Sequence, residues 1–315
     1  MAEIGTDLTY AKTLLSQGEL VAIPTETVYG LAANALQPYA VLKIFQVKNR
    51  PQFDPLIVHV ASLSQAYELV ETIPSAAEKL MHQFWPGPIT LVLKKKALIP
   101  DLVTAGLDTV GIRCPDHPLT RQLLATLEFP LAAPSANPFG YISPTQPEHV
   151  NQQLGNKIKY ILDGGPSRVG LESTIVGFEQ GPVIYRLGGL TQEEIEQVIG
   201  PVRVELNTSS NPVAPGQLKS HYAPRKKLVV KKVEDMGSLP ARTGVLVFQQ
   251  YLESIDPSRQ VMLSATGNLA EAAKNLFAAL RTLDAMDIDT ILAEPVPEVD
   301  LGRAINDRLR RAAAE

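Results

Sequence analysis

Residues 201–226, "PVRVELNTSSNPVAPGQLKSHYAPRK", hold four prolines and almost no hydrophobic periodicity. Proline removes a backbone donor and fixes φ, so neither a helix nor a central strand runs through such a stretch. The chain is therefore expected to divide into a larger unit over 1–200 and a smaller one over 227–315, joined at 201–226 by a linker or an ordered crossing loop. A length of 315 residues suits that division. Prolines are frequent elsewhere too, 25 in all, and beside 45% hydrophobic and 20% charged residues they indicate loops rather than disorder.

Short apolar runs between turn signals read as strands: "LVAI", "LIVHV", "TLVLK", "TVGIRC", "PLAAPS", "KYILD", "STIVGF" and "PVIYRL". Helical periodicity falls at 7–17, with Asp7 as cap and Gly18 as stop, and near 74–84, 117–127, 145–154 and 191–199. Pro38 opens a further helix through Phe45 that must end before Pro51, which leaves Lys48 and Arg50 at a helix exit. "PTETVYGL" reads as a loop after the strand broken by Pro24. In the smaller unit "KLVVKKV", "GVLVFQ", "VMLS" and "TILAEPV" alternate with a long amphipathic helix over about 269–285, an order that favours a small parallel sheet. The fold class is α/β, shading into α+β. The arginine-rich end "PEVDLGRAINDRLRRAAAE" packs on its own unit, meets a partner, or forms a solvated helix face.

A formal charge of −4, from 29 basic and 33 acidic residues, argues against coating nucleic acid through bulk charge and leaves only local basic pockets. The lone Cys114 excludes an internal disulfide framework and a multi-cysteine zinc site, and fits a reducing compartment, so cytoplasm is expected. No apolar run approaches the roughly 20 residues of a membrane span, and the N-terminus lacks a secretion core.

Several stretches could carry chemistry. Thr25, Glu26 and Thr27 follow a strand end, where ligands commonly bind, although Thr-rich turns are also ordinary structure. Lys48 and Arg50 suit a helix C-terminus through its dipole, with or without a ligand. Alternation in "LIVHV" puts Leu56, Val58 and Val60 on one face and Ile57 with His59 on the other, so His59 is a core histidine or a ligand-binding one. Arg113, set between apolar strand residues, needs an anion, either one of the chain's own carboxylates or a substrate carboxylate. Ser135, Asn137, Ser143 and Thr145, and then Gly164, Gly165, Ser167, Ser173 and Thr174, offer neutral groups that suit phosphate or ribose oxygens as well as turns. The five scattered histidines make no metal pair.

Taken in order, "PTETVYGL", "KNRP...PLIVHV", "FWPGPITLVL", "VGIRCP", "PSANPFGYISPT", "DGGPSRVGLESTIV" and "YRLG" resemble the YrdC-like threonylcarbamoyl-AMP synthases over about residues 8–199. "APGQLKSHYAP" and the C-terminal unit beyond it resemble that family's long form, with Gln217 where methionine is often found. The resemblance implies a twisted open-sheet domain with a cationic concavity, a smaller Rossmann-like domain, and a linker crossing the active site. It implies a nucleotidyltransferase that makes threonylcarbamoyl-AMP and pyrophosphate from L-threonine, bicarbonate or CO₂, and ATP. Mg²⁺ would be held mainly by the ATP phosphates. The product would pass to a transferase complex that modifies a tRNA adenosine beside the anticodon, with weak or no direct nucleic-acid binding and no membrane role. By the same resemblance Lys48 and Arg50 are catalytic. Thr27, His59, Arg113, the main chain at Ala133, and Ser173 bind threonine. Arg50, Asp54, Thr109, Ser135, Asn137, Ser143, Arg186 and Tyr222 bind the nucleotide.

Two other readings use the same features. A module for structured RNA would use the basic concavity on phosphates, against the acidic net charge. Carbamoyl transfer in metallocentre maturation uses a related domain, but its acylphosphatase-like and zinc-finger segments are missing here.

Overall fold

The computed structural model describes residues 1–206, 221–232, 240, 242–253 and 255–314. The core of the expected linker, Gln217 included, lies outside the described residues. In chain order the larger sheet is built from β1 (Glu3–Gly5), β2 (Val21–Ile23), β3 (Gly30–Asn34), β4 (Ile57–His59), β5 (Ile89–Lys94), β6 (Thr109–Arg113), β7 (Leu131–Ala132), β8 (Tyr160–Leu162), β9 (Thr174–Gly177), β10 (Val183–Arg186) and β11 (Arg203–Val204). Across the sheet their order is β1-β8-β2-β3-β7-β4-β6-β5-β9-β10-β11, with parallel and antiparallel pairs mixed. The helices are α1 (Leu8–Ser16), α2 (Pro38–Lys48), α3 (Leu63–Leu69), α4 (Ser75–Phe84), α5 (Asp101–Thr104), α6 (Pro118–Thr126), α7 (Pro147–Leu154) and α8 (Gln192–Ile199).

Helix ends follow local chemistry. The Asp7 carboxylate accepts the Tyr10 N–H at 3.0 Å and starts α1. Thr191 and Glu194 form a reciprocal capping box on α8. Pro38 occupies the first turn of α2, which runs past Phe45 to Lys48 because Asn49 supplies the left-handed residue that ends it.

The smaller sheet orders β12 (Lys227–Val230), β15 (Thr290–Ala293), β13 (Thr243–Val247) and β14 (Gln260–Met262), with every pair parallel, as the strand–helix–strand alternation predicts. It carries α9 (Leu269–Ala285) and α10 (Leu301–Ala312). One continuous buried cluster runs from Leu31, Ile44 and Val58 through Tyr222 to Phe277 and Ile305, so the two sheets share a core. Polar contacts reinforce it. Arg281 on α9 donates to the carbonyls of Ile142 and Ser143, and the Tyr141 hydroxyl donates to Asp284 at 2.6 Å. The arginine-rich end is not a solvated face: Arg308 and Arg311 of α10 are buried, and Arg303 pairs with Glu193 of α8.

Candidate active site

Several strand ends and loops converge on one cavity. In the loop after β2, the Thr25 hydroxyl donates to the Val28 carbonyl at 2.6 Å, and its oxygen faces the Thr27 and Val28 N–H groups at 3.2 Å. This side-chain turn reverses the chain and leaves Thr27 on the cavity wall. β4 and β6 run parallel with His59 in register with Arg113, which puts both side chains at neighbouring C-terminal strand ends. β10 ends at Arg186 and β9 begins after Ser173, and both residues line the cavity.

The space between these groups is about 570 Å³ when the open solvent at its mouth is counted, in a partly enclosed cleft. Its walls include Thr27, Arg50, His59, Arg113, Ala133, Ser135, Glu172, Ser173, Arg186, His221 and Tyr222. Nine residues expected at the site therefore meet here: Thr27, Arg50, His59, Arg113, Ala133, Ser135, Ser173, Arg186 and Tyr222. Lys48, Asp54, Asn137 and Ser143 stand directly behind the wall. Thr109 sits elsewhere, at the opposite end of β6 from Arg113, in a separate crevice with Asp108, Glu179 and Tyr185.

Three guanidinium groups face the cavity, each tethered to the chain. Arg113 Nη2 lies 2.8 Å from Glu26 Oε1 and donates to Thr27 Oγ1 at 2.8 Å, while its buried Nε has no partner. The structure thus pairs this buried arginine with a carboxylate of the chain. Glu26 is fixed in turn by the Asp116 N–H on its other oxygen, at 3.0 Å. Arg50 Nε and Nη2 donate to the carbonyls of Asp54 and Pro55 at 3.2 and 2.8 Å, and Nη2 lies 2.9 Å from Asp54 Oδ2. Burial pushes the Asp54 carboxyl above the usual carboxylate range, although Arg50 and Lys48 pull it down. Arg186 donates from Nε and Nη2 to the Ser173 carbonyl at 3.1 and 2.9 Å, and from Nη2 to its hydroxyl at 3.1 Å.

Lys48 serves the wall from behind. It is 1% exposed, and its ammonium donates to the carbonyls of Ser135, at 2.5 Å, and Asn137. These carbonyls lie on the bend after β7, where the Ser135 carbonyl also accepts the Asn137 N–H at 3.0 Å. Burial and then the Arg50 charge hold the Lys48 amine well below the usual lysine range. Asn137 extends the brace, its amide donating to the Pro138 and Tyr141 carbonyls at 2.8 Å each.

His59 is 3% exposed, with Nδ1 against the Ile57 carbonyl at 3.2 Å. Burial and the neighbouring Arg113 lower its pKa to about 3, so the ring is neutral at physiological pH and can bond a ligand without adding charge. Tyr222 adopts a left-handed φ of 67°, and its buried hydroxyl has no partner. A non-glycine residue held in that region beside a cavity is strain of the kind that sites store. His221 packs its ring edge-on to Tyr222 at 4.0 Å and leaves Nδ1 unpartnered.

Sequence reasoning assigned no role to Glu172, His221 or Arg308. The first two stand inside quoted motifs, "GLEST" and "SHYAP". Arg308 carries no local signal, because only the docking of α10 brings it to the site.

Two family models cover most of the chain. The Sua5–YciO–YrdC model, described as telomere recombination, matches residues 13–188, and the C-terminal domain model of threonylcarbamoyl-AMP synthase matches residues 190–314. A threonylcarbamoyl-AMP synthase of Pyrococcus abyssi is 44% identical, over 96% of this chain and 93% of its own. One from Bacillus subtilis is 42% identical, over 96% and 92%. The crystal structure of P. abyssi Sua5 complexed with L-threonine superposes with a TM-score of 0.91 at 39% identity, covering 99% of this chain and 97% of that one. The chain belongs to the threonylcarbamoyl-AMP synthase family in its long, two-domain form, and is an enzyme of the nucleotidyltransferase type.

Proposed function

We propose that the protein joins L-threonine, bicarbonate or CO₂, and MgATP into threonylcarbamoyl-AMP and pyrophosphate, for transfer in the cytoplasm to a tRNA adenosine beside the anticodon by a separate transferase complex. The observation that carries this reading is the convergence of Arg50, Arg113 and Arg186 with neutral His59 and Ser173 in one cavity. The likeness to a relative solved with L-threonine supports it.

In this reading the threonine amine takes up CO₂ and loses a proton to water, giving a carbamate. A carbamate oxygen then bonds to the α-phosphorus as the bond to pyrophosphate breaks. Both reactants are anions whose repulsion opposes encounter in water. The protein's contribution is positioning and charge neutralisation by groups already fixed in place, with no covalent enzyme intermediate. Arg113 on the cavity wall faces the threonine carboxylate, while Thr27, His59, Ser173 and the main chain at Ala133 orient the amino acid. Arg50, Ser135, Arg186 and Tyr222 serve the nucleotide, and Asp54 fixes Arg50. Lys48, Asn137 and Ser143 act from behind by holding the wall, and Thr109 would contribute only if the nucleotide reached the far end of β6. Mg²⁺ enters with the nucleotide and offsets phosphate charge; it typically keeps its waters and one or two carboxylates rather than a protein cage. We take 1–200 and 227–315 as the two units, with edge strand β11 carrying the larger sheet a few residues past 200, and of the described residues that join them His221 and Tyr222 line the cavity.

Threonine differs from serine by one methyl group, which a pocket rewards by only about 1–3 kcal/mol. Pyrophosphate release measured with each amino acid in turn is expected to be highest with threonine and about 10–200-fold lower in kcat/KM with serine. Valine should fall further, because a polar pocket is left unpaired. Equal release with all three, or with none added, contradicts the reading.

A further inference from the structure

Arg308 has a fully buried side chain on α10, in the C-terminal unit, yet all but one of its polar contacts reach the other side of the interface. Its Nε donates to Glu172 Oε2 at 2.9 Å and its Nη2 to the Leu187 carbonyl at 2.8 Å, while Nη1 donates to its neighbour Asp307 at 2.8 Å. The guanidinium carbon lies 4.9 Å from the centroid of the Tyr222 ring. Glu172 and Tyr222 line the cavity, Leu187 follows Arg186, and the second Glu172 oxygen accepts the Ser143 hydroxyl at 2.6 Å. One side chain thus ties together the segments that carry Ser143, Arg186 and Tyr222.

A buried arginine is an expensive way to dock a helix, since apolar side chains of similar volume do so as well or better. A planar fork is suited instead to holding several acceptors at fixed angles. We infer that Arg308 is a positioning residue for the nucleotide side of the cavity, through which the C-terminal unit sets the placement of Glu172, Arg186 and Tyr222. Burial alone would depress its charge, but Tyr222, Glu172 and Asp307 outweigh it, so the group stays cationic. The inference rests on the proposed assignment of that side of the cavity to ATP. It goes further in making α10 part of the site rather than a tether.

The test is a set of full-length variants: Arg308→Met, Arg308→Lys, Arg308→Met with Glu172→Gln, and Arg310→Met as a surface control. Affinities for ATP and for threonine are measured separately by calorimetry, alongside thermal melting, so that no turnover is needed. Arg308→Met should weaken ATP binding by about 10–100-fold, by analogy with the groups that orient metal ligands, and change threonine binding by less than about threefold. Arg308→Lys should recover part of the ATP affinity. If Arg308→Met alone fails to fold, the double variant decides, because it leaves no unpaired Glu172 charge; it should melt near the wild type and still bind ATP weakly. Wild-type ATP affinity in the double variant, or equal losses for both ligands in step with melting temperature, would overturn the inference. Failure of the wild-type protein to bind ATP at all would instead refute the underlying assignment.

Discussion

At Arg113 the Nη2 nitrogen is spent on Glu26 and Thr27, while the buried Nε has no partner. That division sharpens what substitution should do. Removing Arg113 strands Glu26, whose side chain is fully buried, and breaking such a pair costs about 3–5 kcal/mol. Arg113→Met alone is therefore expected to melt well below the wild type. Arg113→Met with Glu26→Gln should regain most of that stability yet bind threonine at least about tenfold more weakly. Calorimetry and thermal melting on the pair check this; recovery of threonine affinity along with stability would make Arg113 purely structural. Sequence alone left the partner of Arg113 open, because a carboxylate far away in the chain and a substrate carboxylate satisfy a buried cation equally well. Lys48 shows the same limit. Its charge at the helix exit was legible, but not that two backbone carbonyls behind the wall claim it.

Elements place these residues, and most were readable from pattern. Pro24, Pro38 and Gly18 bounded their neighbours as expected, and α9 spans 269–285 as its amphipathic period predicts. β3 was not legible. Its sequence Gly-Leu-Ala-Ala-Asn lacks β-branched and aromatic residues, and it exists because β2 and β7 pair with it on either side. Small residues mark close backbone approach elsewhere at the site. A Cβ on Gly188 would lie 2.2 Å from the Glu172 carbonyl oxygen and 2.5 Å from the Ser173 carbonyl carbon. Neither atom can yield without moving the chain that carries Ser173. Gly188→Ala is expected to cost about 1–3 kcal/mol and to lower kcat/KM by more than about tenfold. Steady-state kinetics with a melting curve test it, and an active, fully stable variant would show that the 172–173 and 187–188 segments separate freely.

Across the whole molecule a formal charge of −4 coexists with a cavity faced by three arginines. Bulk composition therefore said little about local potential; the placement of charge by strand ends decides it. Each arginine is held by a carboxylate or carbonyl of the chain, so the cationic field is fixed before any ligand arrives. The two sheets also share one buried cluster, a fact hidden from the sequence because the contacts join residues far apart in the chain. The central claim is that this preset field lets two anionic reactants form a bond. Its most direct test is to incubate the full-length protein with MgATP, ¹³C-bicarbonate and threonine, and to follow the products by mass spectrometry. The account predicts an adenylate containing threonine and one labelled carbon, formed together with pyrophosphate and absent when threonine is withheld. ATP cleaved at the same rate without threonine, with no labelled adenylate, would contradict it.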